Sequence, residues 1–274
     1  MIELPEARVL ADQISNELVG KRVTGVVTAA SPHKFAWYYG DPLAYDSRLS
    51  GKQIDRAVPI AGRVEVYAEG VTLDFFDGAN LRLYKAGEAV PTKHQLAITF
   101  DDGSTLVGTI AMYGALMCYP DGALDDDSYR NAAVNAISPL SERFDAVYAA
   151  LFDTKGLKMS AKAFLATVKR VPGLGNGVLQ DILLNACIHP KTKAGALSME
   201  QRSALLCSIK DTLAEMVRLG GRDTERDLYG NPGGYKVKLG RTNTAMVCPN
   251  CGGSVHKESY MGGSIYFCES CQRI

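Results

Sequence analysis

Four cysteines near the end of the chain, Cys248, Cys251, Cys268 and Cys271, form two Cys-x2-Cys pairs with 16 residues between them. Two such knuckles can close a tetrahedron of thiolates around one metal ion, and zinc rather than an iron–sulfur cluster is the expected occupant. Four thiolates leave no open coordination position, so the ion is expected to be structural. Gly252-Gly253 and Gly262-Gly263 let the backbone turn back toward the metal, and residues 255–260 and 265–267 suit the strands of a hairpin. The remaining cysteines, Cys118, Cys187 and Cys207, sit among apolar residues without a ligand spacing and are expected to be buried thiols, as suits a reducing compartment.

A second candidate is Val171-Pro-Gly-Leu-Gly-Asn-Gly177 between two helical patterns. Glycines ahead of a helix let its free backbone amides approach an anion, and Asn176 adds a side-chain donor. A plain tight turn would carry the same glycines. Lys162 and Lys169 upstream and Arg241 downstream add cations, an arrangement that fits a phosphate backbone. At the opposite end, Met1-Ile-Glu-Leu-Pro-Glu-Ala sets Glu3 and Glu6 within a few residues of an α-amine. Such amines titrate close enough to physiological pH for a fraction to be the neutral nucleophile. On these residues alone the plainer reading is a helix with acids near its positive end.

The elements that must position these groups follow from the pattern. Of 274 residues, 46% are hydrophobic, enough for one large core or two smaller ones with an appendage. Lysine plus arginine (30) balances aspartate plus glutamate (30), so a DNA site must come from local segregation of charge: residues 143–169 and 218–241 are basic, and 121–127 acidic. No apolar run approaches the roughly 20 residues of a membrane span. Glu3, Glu6 and Arg8 interrupt the segment where a signal peptide would be apolar, so a soluble, cytoplasmic protein without a membrane partner is expected.

Leu10, Ile14 and Leu18 recur at helical spacing over residues 5–19, behind a short N-terminal strand. From residue 23 to 119, short alternating runs punctuated by Glu69-Gly, Asp77-Gly and Asp101-Asp-Gly predict antiparallel strands in a sandwich or barrel. The turn-rich stretch 120–129 marks a boundary, after which the period becomes helical over 141–152, 160–169, 177–187 and 198–219. Residues 222–246 read as a long irregular connection. The expected fold is a multidomain α+β chain: a β-sandwich with an N-terminal helix over residues 1–125, a helical domain over 130–245, and the finger over 246–274.

Together these segments resemble the formamidopyrimidine-DNA glycosylase and endonuclease VIII family. The likeness runs through Glu3-Leu-Pro-Glu6, the strand-rich first half, Lys162 and Lys169 ahead of Gly-Leu-Gly-Asn176, Cys187-Ile-His-Pro190, Gly220-Gly221 and the terminal finger. It implies a β-sandwich, a helix-two-turns-helix domain and a zinc finger, with double-stranded DNA carrying a damaged base or abasic site across the cleft. Such proteins displace the base with an N-terminal amine through a Schiff base and then cleave the strand as AP lyases. Residue by residue, the resemblance makes Glu3 the carboxylate that assists base release, with Glu6 retained beside it. It places Lys162, Lys169, Asn176 and His94 against DNA, to which the residue pattern adds Arg241, and makes Met1 or Ile2 the amine.

Four positions depart from the family pattern. Ile2 stands where the nucleophilic proline is usual, and a bulky residue there disfavours removal of Met1. Gly62 stands for a lysine, Ile110-Ala-Met-Tyr-Gly-Ala115 for the basic stretch that wedges into DNA, and Gly263 for the finger arginine. Tyr113 or Met112 could substitute for the wedge. Two functions therefore stand side by side: a base-excision glycosylase with a rearranged nucleophile, or a relative that binds abasic or distorted DNA without chemistry. Nothing demands more than a monomer, and in a bacterium the protein would be nucleoid-associated.

Overall fold

The computed structural model describes residues 1–124, 127–167, 170–243 and 245–274. They form two compact units, Met1–Val134 with Glu225–Gly233, and Asn135–Thr224 with Gly234–Ile274.

The first unit opens with helix α1 (Leu4–Leu18), started by Pro5 in its first turn and by a reciprocal capping box between Glu3 and Glu6. Its buried face, Ala7, Leu10, Ala11, Ile14 and Leu18, has the spacing read from the sequence. Strands β1 (Val23–Thr28) and β2 (Ala36–Trp37) follow, then helix α2 (Tyr45–Leu49). Five more strands complete the sheet: β3 (Arg56–Ile60), β4 (Arg63–Ala68), β5 (Val71–Tyr84), β6 (Leu96–Phe100) and β7 (Thr105–Pro120). Their order is β1-β6-β7-β5-β4-β3, and β2 pairs in parallel with β7 at Gly114 and Ala115. The long strands β5 and β7 belong to both halves of the sheet, whose apolar faces, Val64, Leu73 and Leu116 from one half and Leu81, Ile98 and Leu106 from the other, share one core with α1. The β5–β7 register shifts between Asp77 and Ala79. Side chains are excluded there: a Cβ on Gly114 would stand 2.7 Å from the Ala79 nitrogen, and one on Gly78 would run into the Tyr113 carbonyl.

Two differences from the sequence reading concern this unit. The acidic stretch at 120–129 leads into a further helix, α3 (Ser128–Val134), that still belongs to the first unit. Arg130 ties it down through paired bonds of 2.7 and 2.9 Å to the fully buried Glu65. The second difference is Glu225–Gly233, which the sequence gives to an irregular connection within the helical domain and which clusters with the first unit. Leu228 is buried there, its carbonyl accepts from Leu83 N–H at 2.9 Å, and its N–H donates to Gln13 Oε1.

In the second unit, helix α4 (Phe144–Tyr148) tightens into a 3-10 turn at Ala149–Phe152. The helix expected over 160–169 is a π-helical turn, Ala163–Thr167. Residues 160–165 are all buried, so no amphipathic face exists to favour regular winding. Helix α5 (Asn176–Asn185) follows the glycine turn, and α6 (Met199–Arg218) starts on a capping box of Ser198 and Gln201. Strands β8 (Val255–Tyr260) and β9 (Gly263–Cys268) form the terminal hairpin, turning through Met261 and Gly262, both at positive φ. Of the three cysteines expected to be buried, only Cys118 is; Cys187 and Cys207 are exposed. Cys187 takes a positive φ at the end of α5, and neither residue lies on a core-facing position. Among the described residues no helix is long and apolar enough to cross a membrane.

Candidate functional site

The N-terminal residues are fixed in the first unit by three contacts. Ile2 is buried and bridges Asp77, its N–H donating to the Asp77 carbonyl at 2.6 Å. Glu3 caps α1 and its own N–H donates to Glu6 Oε2 at 3.2 Å, so both carboxylates are buried at the helix start, 4% and 5% exposed. The Met1 α-amino group projects beyond them and pairs with the Glu225 carboxylate. Three separate parts of the sequence are thereby brought together: the Met1 amine with the Glu3–Glu6 pair, Asp77 and Glu225. Asp77 stands at φ +55°, in the β5 bulge opposite Tyr113 and Gly114. Burial pushes the Tyr113 hydroxyl pKa up, and the carboxylates of Asp77 and Glu3 add to the rise, placing this ring beside the N-terminal site.

At the position of the family lysine, Gly62 sits in the turn between β3 and β4. The neighbouring Arg63 does not replace it, because its guanidinium is buried against Asp74 and the Phe76 ring. His94 is turned inward: Nδ1 lies 2.8 Å from the Pro91 carbonyl oxygen, and Nε2 is buried without a hydrogen-bond partner.

The second unit assembles a different group around the finger tip. Lys162 is almost fully buried and donates through Nζ to the Tyr260 carbonyl at 2.6 Å, and burial lowers its pKa. Asn176, at the start of α5, donates to the Ser264 carbonyl at 2.9 Å. Gly263 lies between them: a Cβ there would be 3.4 Å from Lys162 Nζ and 3.8 Å from the Asn176 amide. Lysine, asparagine and the glycine standing for the finger arginine thus form one cluster. Arg241 is exposed in the 234–246 connection and takes no part in these contacts. Lys169 lies outside the described residues.

The hairpin is held to α5 and to the turn that follows it by two glutamines that sequence reasoning missed. Gln180 accepts from Tyr266 N–H at 3.1 Å and donates to the Ser264 carbonyl, and Gln272 accepts from Cys268 N–H while donating to the Ile188 carbonyl, both at 2.9 Å. The sulfur atoms of Cys248, Cys251, Cys268 and Cys271 all lie within 4.8 Å of one another. Tetrahedral ligation with metal–sulfur distances of about 2.3 Å requires S–S edges of about 3.8 Å. The Cys248–Cys271 and Cys251–Cys268 separations are 3.9 and 3.5 Å, so the four thiols fit a single ion.

Asp77, Glu225 and the glutamines carried no local signal, since each acts through a contact distant in sequence. An Asp-Gly pair interrupting a strand was the one available hint, and it pointed only to a turn.

No family model matches the chain. Individual proteins do. The formamidopyrimidine-DNA glycosylase of Geotalea uraniireducens is 30% identical over 285 residues, covering 99% of this chain and all of the relative. That of Pseudomonas entomophila is 30% identical over 283 residues, covering both chains completely. Among solved structures, the MutM (Fpg) protein of Thermus thermophilus superposes with a TM-score of 0.80 at 23% identity over 98% of each chain. A Lactococcus lactis Fpg in complex with abasic-site DNA gives 0.82 at 20% identity, covering 99% of this chain and all of that one. Identity sustained from end to end of both sequences cannot come from a shared zinc hairpin or a common helix pair, and it makes this chain a member of the formamidopyrimidine-DNA glycosylase family.

Proposed function

We propose that the protein excises damaged bases from double-stranded DNA through an N-terminal amine, with Glu3 moving the protons. The observation that supports this most directly is the buried Glu3–Glu6 pair at the start of α1, two residues along the chain from a Met1 amine that Glu225 holds. In the reaction, the neutral amine attacks C1′ of the damaged nucleoside and a C–N bond forms as the glycosidic bond breaks. The base leaves with that electron pair and takes a proton delivered by Glu3. The attached nitrogen then gives up a proton, the C1′–O4′ bond breaks with O4′ keeping the electron pair and taking a proton, and a C1′=N Schiff base remains, from which loss of a C2′ proton and of the 3′ phosphate can cleave the strand. Glu6 holds Glu3 in place through the capping box, and Glu225 fixes the amine.

Lys162 and Asn176 serve as phosphate donors, with the Tyr260 and Ser264 carbonyls setting their positions. One zinc ion held by Cys248, Cys251, Cys268 and Cys271 would close the hairpin that carries those carbonyls; its role is structural. The same chemistry suits a cytoplasmic protein working on chromosomal DNA.

The test is release of free base, read by mass spectrometry, from duplexes each carrying one oxidised or ring-opened base. Release by the wild-type protein and its loss in Glu3→Gln support the proposal. Tight binding of every duplex with no base released would make the protein a damage-binding relative instead.

A further inference from the structure

Beside the N-terminal site the first unit exposes a row of aromatic rings that the reaction above does not use. Trp37, the sole tryptophan of the sequence, is 40% exposed on the two-residue strand β2. Its ring centroid lies 5.7 Å from that of Tyr113 and 6.3 Å from that of Phe76, and the Arg63 guanidinium backs Phe76 at 3.9 Å. Met112, 70% exposed, stands next to Tyr113. A large aromatic residue left half in water, on a strand so short that it buries little else, contributes less to folding than it would in the core.

The geometry points to Trp37 as a stacking platform for a nucleobase displaced from the DNA stack, an inference that rests on the DNA reading above. The charge around the rings favours a base over a phosphate. Glu3 and Asp77 lie on the Tyr113 side and would repel an anion there, whereas a neutral heterocycle is tolerated. Lys34, three residues before Trp37, supplies a cation to which an adjoining phosphate can lie close; it sits 5.4 Å above the Phe35 ring. Base-on-aromatic stacking is tolerant of sequence and strong enough to hold an extruded ring. Trp37 would therefore supply the surface that the missing basic wedge does not.

With one tryptophan in the chain, the intact protein reports on this directly. Tryptophan emission and fluorescence anisotropy are followed together while a labelled duplex carrying one oxidised base, the same duplex with an abasic site in place of that base, or the undamaged duplex is added. The expected result is quenching of Trp37 with the oxidised-base duplex and much less with the other two, and a loss of roughly fivefold or more in affinity for the oxidised-base duplex in Trp37→Ala that Trp37→Phe largely restores. Anisotropy showing the oxidised-base duplex bound while emission is unchanged, or Trp37→Ala binding all three duplexes as the wild type does, overturns the platform and leaves the glycosylase reading standing. Absence of any DNA binding overturns both.

Discussion

Ile2 runs antiparallel to Asp77, its amide donating to the Asp77 carbonyl at 2.6 Å, and its side chain is buried. The residue at the family's proline position is thus held as the last rung of a sheet, with its nitrogen already committed. The α-amino group lies one residue further out, on Met1, and pairs with the Glu225 carboxylate. On the proposed amine chemistry Glu225 is the partner that fixes the nucleophile, and the buried Leu228 with its bonds to Leu83 and Gln13 holds this segment in the first unit.

Replacing that partner should impair chemistry more than binding. In Glu225→Gln the amine loses its ion pair, and the rate of covalent trapping on abasic DNA should fall about tenfold, equivalent to about 1.4 kcal/mol. DNA affinity measured by anisotropy should change less than twofold. Equal losses in both would show that Glu225 acts on the fold and not on the amine.

Gly263 leaves room for the side chain that other family members carry. Its φ is not in the left-handed region, and a Cβ would meet only the ends of Lys162 and Asn176, at 3.4 and 3.8 Å. Gly263→Arg should therefore fold, tighten DNA binding by about tenfold through one charge-assisted phosphate contact, and steepen the salt dependence by about one unit of slope. Unchanged affinity and slope would place this cluster away from the DNA backbone.

Removing the metal should act on DNA binding through the hairpin. The Tyr260 and Ser264 carbonyls that hold Lys162 and Asn176 belong to β8 and β9, which the four thiols close. One zinc per chain is expected by elemental analysis, and chelation or Cys268→Ser should weaken DNA affinity at least about tenfold while the first unit stays folded. A metal-free protein binding DNA as well as the loaded one would contradict this.

Asp181 gives the second unit a pH dependence. The carboxylate is fully buried on α5, and burial lifts its pKa to about 6 although it accepts from the Lys238 and Leu239 amides at 2.9 and 2.8 Å. The folded chain holds this proton more tightly than the unfolded one. Its contribution is therefore full below the ordinary carboxylate range, near pH 4, and is lost as pH rises through about 6. Denaturant titrations between pH 4.5 and 6.5 should show a decline on the order of 2 kcal/mol that Asp181→Asn flattens. Parallel curves for the two proteins would mean that another group sets the slope.

Local patterns carried much of this structure into the sequence. The α1 face of Leu10, Ile14 and Leu18, the Asp-Gly and Glu-Gly strand punctuation and the cysteine spacing are each short-range signals, and the corresponding elements are present. The pairing of Met1 with Glu225 joins residues 224 apart and had no such signal. The π-helical turn after Lys162 is not legible in the sequence because residues 160–165 are all buried, which removes the periodicity that distinguishes one winding from another. The boundary at 120–129 rests on acidic, turn-rich composition and a change to helical period, both local signals, whereas the bonds of Arg130 to buried Glu65 are long-range and hold α3 to the first unit.

The most direct test of an N-terminal amine acting beside Glu3 is borohydride trapping on an abasic duplex, with the adduct located by intact and peptide mass spectrometry. The expected result is a covalent DNA adduct on the Met1 amine, or on Ile2 if Met1 has been removed, that disappears in Glu3→Gln. A protein that binds the duplex yet gives no adduct, or gives one on an internal lysine, would contradict it.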